Sequence, residues 1–246
     1  MKLIIHGAAG RMGKILTEKA LQGERGAEVA ALIDPGAARD GEYFYPSLDS
    51  CRESADVVLD FSHHSATAGL LDWCVGKKLP VVLATTGHTE EEKRMIGEAS
   101  REIPIFYSAN MSVGVAVLAE LAKRAAAAFP MADIEIVEIH HNQKLDVPSG
   151  TALMLGENLR EVRPGAVLLV GRHENGKRSA QEIGIHSLRL GSETGTHEIL
   201  ISTGSETLTL KHQAHSRALF ADGALAAAEF LLGKPAGLYS MRDMLA

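Results

Sequence analysis

The regular alternation of short apolar runs with amphipathic stretches across the first hundred residues constrains the fold more than any other feature. Segments 3–6, 29–34, 57–61, 81–84 and 105–107 read as buried strands, mostly bounded by Gly, Pro or Ser. Between them, segments 14–21, 65–75 and 90–101 carry apolar residues at helical spacing. Strands that alternate with helices need crossover connections, and crossovers make neighbouring strands parallel. This half of the chain therefore predicts a doubly wound parallel sheet, whose chemistry gathers beyond the carboxyl ends of its strands.

The turn after the first strand fits that expectation. Gly7-Ala8-Ala9-Gly10-Arg11-Met12-Gly13 runs from a strand straight into a helix. Glycines serve there for the tight turn, for close approach of backbone to a pyrophosphate, and for helix–strand packing. Asp34 ends the next strand about 20 residues beyond the turn, where an acid can accept hydrogen bonds from ribose hydroxyls. Strand, turn and acid together predict a Rossmann-like domain that binds NADH or NADPH. Asp34 repels a 2′-phosphate and favours NADH, while Arg11 across the turn, with Arg39 as a second candidate, leaves dual use open.

The pattern changes at Met111. Segment 113–129 predicts a long Ala-rich helix ended by Phe129-Pro130, followed by an alternating strand over 134–141 and a helix over 151–160. Strands are expected at 166–170, 183–190, 197–202 and 207–212, with Gly191 and Gly195 as turn residues. The second half thus reads as an α+β unit on an open mixed sheet, largely antiparallel. The apolar helix over 218–232 could pack back on the first domain.

Within the second half, His140, His141 and Lys144 stand just ahead of Pro148-Ser149-Gly150-Thr151. The four-residue spacing of His140 and Lys144 places them on one side of either a strand or a helix. A histidine can give a proton near neutral pH, and a lysine offers a compact positive charge to a carboxylate or a developing anion. Ser149 is a good helix cap, so the amides of Gly150 and Thr151 and the Thr151 hydroxyl become available to an anion. Adjacent His140 and His141 point to opposite faces of a strand, and no cysteine or clustered carboxylate completes a ligand set, so no metal is expected. His63, His64, His173, His186 and His212 read as structural or surface residues.

A net charge of −6 argues against a general nucleic-acid binder. With 46% apolar and 23% charged residues, two cysteines and no run long enough to span a membrane, the chain predicts a soluble cytoplasmic protein with inert thiols. A strand that begins at Lys2 leaves no room for a signal peptide.

The chain resembles the 4-hydroxy-tetrahydrodipicolinate reductase (dihydrodipicolinate reductase) family. The likeness rests on Gly10-Arg11-Met12-Gly13, Asp60-Phe61-Ser62, Ala84-Thr85-Thr86-Gly87 (alanine for the first glycine) and Asn110-Met111-Ser112-Val113-Gly114-Val115. It rests above all on Glu138 to Ala152, where Val147 replaces the usual alanine. Arg189-x-Gly191-x-x-x-Gly195-x-His197 and the segment from Arg217 to Gly223 extend it over essentially the whole chain.

The resemblance implies a dinucleotide-binding domain over 1–111 and 218–246, and a substrate-binding, homotetramer-forming domain over 112–217. By resemblance His140 is the general acid and Lys144 stabilises substrate and developing charge. His141, Ser149, Gly150, Thr151 and Thr86 hold the carboxylates of a small dicarboxylate substrate. Gly7, Gly10, Arg11, Met12, Asp34, Phe61, Ala84, Thr86, Asn110, Arg217 and Phe220 line the cofactor path. The implied reaction is hydride transfer to C4 of a cyclic imine dicarboxylate, with proton delivery and loss of the 4-hydroxyl as water, in diaminopimelate and lysine biosynthesis. Rival readings are another dinucleotide-dependent dehydrogenase of amino-acid metabolism, of aspartate or homoserine type, and a non-catalytic dinucleotide-sensing module. Neither accounts as well for the His-His-Lys and Ser-Gly-Thr pairing.

Overall fold

The computed structural model describes residues 1–36 and 43–246, which leaves Arg39 outside the described residues. Two compact units divide the chain: Met1–Ser112 with Ala218–Ala246, and Val113–Arg217.

The first unit opens with β1 (Lys2–His6), α1 (Arg11–Leu21), β2 (Glu28–Ile33), β3 (Phe44–Tyr45) and β4 (Val57–Asp60). It continues through α2 (Thr67–Lys77), β5 (Val81–Leu83), α3 (Glu90–Ala99) and β6 (Pro104–Tyr107). α1 starts at Arg11, ahead of the first readable apolar period, because extended Gly10 caps the helix directly off the turn. A short 3-10 segment over His64–Ala66 takes up the start of the helix expected from residue 65. α3 carries a capping box, in which Thr89 Oγ1 accepts from the Glu92 N–H and the Glu92 carboxylate from the Thr89 N–H. The two-residue β3 is too short to carry a period, and the sequence pattern did not reveal it.

The second unit holds α4 (Val113–Ala128), β7 (Asp133–His140), α5 (Gly150–Arg160), β8 (Val167–Val170), β9 (Glu182–Arg189), β10 (Gly195–Ser202) and β11 (Thr207–Ala214). Its five-stranded sheet has the order β11-β10-β7-β9-β8. The sheet is mixed but not largely antiparallel. β10 runs antiparallel to β11 and β7, whereas β9 runs parallel to β7 and β8. α5 is the reason: as a crossover it returns the chain so that β8 and β9 run in the direction of β7. Leu118, Ala122 and Ala126 of α4 and Leu155 and Leu159 of α5 bury the sheet face that carries Ile134, Ile136, Ile185 and Ile199.

The chain then returns to the first unit with α6 (Ala218–Leu231), β12 (Gly237–Tyr239) and α7 (Met241–Leu245). β12, too short to predict, pairs in parallel with β6 and completes the seven-stranded order β12-β6-β5-β4-β1-β2-β3. α6 packs on α1 and on β4 to β6, with Gly223 tight against the Met111 carbonyl. Leu3, Ile4, Ile5, Val57, Val58, Leu59, Val81, Val82 and Leu83 have no exposed surface, the mark of parallel strands covered on both faces. Cys51 and Cys74 are buried free thiols, and burial raises the pKa of both. No helix of the described residues is long and apolar enough to cross a membrane.

Candidate active site

In the first unit the chemistry-bearing residues meet where β1 is flanked by β2 on one side and β4 on the other, the switch point of the sheet. Gly7 has φ +80°, and a Cβ there would lie 2.6 Å from the Phe61 carbonyl oxygen. A Cβ on Gly13 would lie 2.2 Å from the Gly7 carbonyl oxygen, and one on Gly10 would lie 3.1 Å from the same atom. The turn is thus closed to side chains. The start of α1 has neither a side-chain cap nor an acidic residue in its first turn, so its positive end suits a phosphate. A cavity of about 720 Å³ adjoins it, lined among others by His6, Gly7, Gly10, Asp34, Phe61 and His63.

Asp34 braces this turn. Its carboxylate accepts the Ala9 N–H at 3.0 Å and the Gly36 N–H at 2.9 Å, one on each oxygen. Each oxygen keeps a further lone pair for a ribose hydroxyl, so glycine cradle and acid together fit a dinucleotide. Arg11 is exposed, and Met12, Phe61 and Phe220 are half-buried. Asn110 Oδ1 accepts the Ser112 N–H at 2.8 Å, shaping the chain that leaves β6. Arg217 is exposed and falls in the second unit.

Under the turn, buried Asp60 at the end of β4 accepts His6 Nδ1–H at 2.8 Å and the hydroxyls of Ser62 and Thr85 at 2.6 Å each. Burial opposes its ionisation, but these donors outweigh it and hold the carboxyl below the usual range. Thr85 is therefore the anchored threonine, while Thr86 is exposed beside Gly87. Among the described residues Arg25, Tyr43 and Lys78 are the non-glycine residues with positive φ. Ala84 is not one of them, so a methyl group sits there without backbone strain.

In the second unit the alternation of β7 puts Ile134, Ile136, Glu138 and His140 on its buried face. Glu138 has no exposed surface. Arg189, the β9 neighbour of His140, grips both its oxygens, Nη1 to Oε2 at 3.0 Å and Nη2 to Oε1 at 2.9 Å. The Ser149 N–H adds a bond of 3.2 Å to Oε1, and His140 Nδ1 lies 2.5 Å from Oε2. Burial opposes ionisation of Glu138 too, yet Arg189, Ser187 and His140 hold its carboxyl below the usual range. A carboxylate only accepts, so Nδ1 carries hydrogen and Nε2 is left as the atom that gives or takes a proton.

His140 Nε2 sits against the backbone of Gly195 on β10, where a Cβ would approach it to 3.0 Å. Gly195 has no positive φ, so its glycine serves space alone. Gly195→Ala is expected to displace the imidazole and lower kcat by roughly ten- to a hundredfold. Cofactor affinity, measured by titration calorimetry, should hold.

His197 of β10 stands edge-on to His140 with ring centres 5.2 Å apart, its Nε2 lying 3.1 Å from Ser149 Oγ. Burial, reinforced by His140, lowers its pKa to about 4, so it is uncharged at neutral pH. Ser149 Oγ also accepts the Ala152 N–H at 3.2 Å as the cap of α5. Gly150, exposed, and Thr151, half-buried, open that helix. Lys144 is half-buried with Nζ 2.8 Å from Asp146 Oδ1, and His141 is half-buried beside it.

The four-residue step from His140 to Lys144 spans neither a strand nor a helix. Lys144 lies in a turn, its N–H donating to the His141 carbonyl at 3.1 Å, so neither strand nor helix periodicity places it. Among the described residues no group of three or more His, Cys, Asp or Glu side chains is arranged to hold a metal ion.

The family model described as dihydrodipicolinate reductase, N-terminus, matches residues 1–111, and the one described as dihydrodipicolinate reductase, C-terminus, matches residues 114–245. The chain belongs to the dihydrodipicolinate reductase family. The 4-hydroxy-tetrahydrodipicolinate reductase of Caldanaerobacter subterraneus subsp. tengcongensis is 45% identical over 247 residues, covering 100% of this chain and 98% of its own. That of Clostridium novyi is 42% identical, covering 99% and 98%. A dipicolinate-bound dihydrodipicolinate reductase from Paenisporosarcina sp. TG-14 has a TM-score of 0.81 at 25% identity, covering 98% of this chain and 97% of its own. As a member of the dihydrodipicolinate reductase family the chain is an NAD(P)H-dependent oxidoreductase of diaminopimelate and lysine biosynthesis.

In the sequence Glu138, Arg189 and His197 stand as family positions without a role. Glu138 was recoverable, because two residues apart on an alternating strand means one face. Arg189 and His197 carry no local signal and arrive only through strand pairing. The same holds for His6 and Thr85, gathered on Asp60 by parallel register.

Proposed function

We propose that this reductase converts 4-hydroxy-tetrahydrodipicolinate to tetrahydrodipicolinate, with loss of one water and oxidation of NADH or NADPH. The observation that carries this reading is His140, its Nδ1 committed to buried, ionised Glu138 and its Nε2 left for proton transfer. His140 delivers the proton, and the Lys144 ammonium attracts a substrate carboxylate and developing negative charge in competition with Asp146. His141, Ser149, the α5 amides at Gly150 and Thr151, and Thr86 are assigned to the carboxylates. The dipicolinate carried by the Paenisporosarcina relative, a planar dicarboxylate, supports that substrate class.

We assign the first unit to the cofactor, held by Gly7, Gly10, Arg11, Met12, Asp34, Phe61, Ala84, Thr86 and Asn110, with Phe220 and Arg217. When bound, the nicotinamide supplies the hydride. The same reading makes the protein a cytoplasmic homotetramer assembled through its second unit, which sedimentation at the tetramer mass would test.

The decisive experiment follows cofactor oxidation with substrate made in situ by a synthase from pyruvate and aspartate semialdehyde. Oxidation that depends on the synthase is the expected result. Binding of both cofactors with no turnover would overturn the reading in favour of a sensing module. The same assay tests cofactor choice, since the Asp34 carboxylate favours NADH over NADPH. Asp34→Ala is expected to weaken NADH by roughly 10- to 100-fold, the worth of a hydrogen bond to a charged group, and to move the preference toward NADPH.

A further inference from the structure

We propose that Glu138 is a positioning residue for proton transfer by His140, with Arg189 clamping its carboxylate in place. The inference rests on the reading of His140 as proton donor, and goes beyond it by naming what makes that histidine an acid. Glu138 is closed to water, and the partners around its two oxygens donate: the Arg189 fork, the Ser149 N–H and His140 Nδ1, with the Ser187 hydroxyl beside them. It cannot return a proton to the ring, so the Nδ1–H stays and the transferable proton is confined to Nε2, beside Gly195. In the step itself the Nε2–H bond of the imidazolium breaks, the proton passes to substrate, and the electron pair stays on Nε2 of the neutral ring.

The charges around His140 give Glu138 a second effect. Facing the ring are Glu138 on its own strand, Lys144 from the following turn, Arg189 on β9 and His197 on β10. Burial disfavours the imidazolium most, Lys144 and Arg189 add to that, and Glu138 works against them all. Without its charge His140 would bind its second proton more weakly, and activity that needs the protonated ring would fail at lower pH. Arg189 also donates to the carbonyls of Leu188 and Asp146, at 2.7 Å each, so one guanidinium fixes both the carboxylate and the loop that carries Lys144.

A purely structural Glu138–Arg189 pair would make a different prediction, and a double-mutant cycle separates the two. Glu138→Gln is expected to lower kcat/KM by roughly 10- to 100-fold, the range for an outer partner of a functional histidine, and to shift the alkaline limb of the pH profile downward. In a His140→Ala background the same substitution should change the rate less than about twofold. ¹⁵N NMR of the free enzyme gives a reading independent of turnover, with the His140 titration midpoint falling in Glu138→Gln. Equal losses in both backgrounds, or an unmoved midpoint, would overturn the proposal. If His140→Ala alone costs nothing, the reading of His140 as the acid falls, and the proposal with it. Should Glu138→Gln not fold because the Arg189 charge is left uncompensated, Glu138→Gln with Arg189→Met removes both charges and carries the titration measurement, which does not depend on the loop that Arg189 also holds. Its midpoint should fall as well, since Glu138 influences the ring more strongly than Arg189 does.

Discussion

His140→Ala is expected to lower kcat by roughly 10²- to 10⁴-fold, the usual contribution of a positioned general acid, while the dissociation constants of NADH and NADPH stay unchanged. The size follows from how completely the ring is committed. Nδ1 is held on Glu138, the ring edge is packed by His197, and Nε2 sits in the space Gly195 leaves. Water does not readily replace such a donor, because a water molecule in the vacated space has neither the fixed direction nor the charge. The variant should fold, since removing the imidazole leaves Glu138 still paired with Arg189 and the Ser149 N–H. Single-turnover kinetics beside calorimetric cofactor binding checks both halves. A loss confined to KM would instead mark His140 as a binding residue.

The second large effect is expected at Gly13. Its absent Cβ would lie 2.2 Å from the Gly7 carbonyl oxygen, 2.6 Å from Ala8 Cα and 2.7 Å from the Ala8 carbonyl oxygen. All three are backbone atoms that cannot rotate away, so Gly13→Ala must push α1 off the turn. Overpacking of this kind costs roughly 1–3 kcal/mol, which lowers Tm by about 2–12 °C for a chain of this size. The amides at the start of α1 move with the helix, so cofactor affinity should fall at least about tenfold. Gly10→Ala meets one atom at 3.1 Å and should do much less on both counts. Differential scanning calorimetry with and without cofactor orders the two variants. Equal behaviour would show that the helix can shift without disturbing the turn.

What the sequence made legible follows the range of the forces involved. The parallel strands of the first unit were readable because they are buried on both faces, so Leu3 to Ile5 and Val57 to Leu59 are continuous apolar runs. The Ser149 cap and the glycine turn were readable because a local backbone geometry demands those residues. Lys144 was singled out on a periodicity that its turn does not have. Arg189 and His197 could not be read as parts of the site, since strand register alone brings them to Glu138 and Ser149. The direction of β8 and β9 depends on where a crossover deposits the chain, which no residue in either strand states.

The first unit is built from two stretches of chain that lie on either side of the second. During synthesis the second unit is complete once Arg217 has emerged, while the first still lacks the helix that covers β4 to β6 and the edge strand beside β6. Its apolar sheet surface must therefore wait, uncovered, while the whole intervening unit is made. Closing it requires contacts between residues more than a hundred positions apart, such as Gly223 against Met111. Contacts of that separation form slowly, and the exposed strands of a nascent chain are where aggregation begins. The last-made segment is thus the one on which recovery of the folded enzyme depends, and chaperone demand should concentrate there.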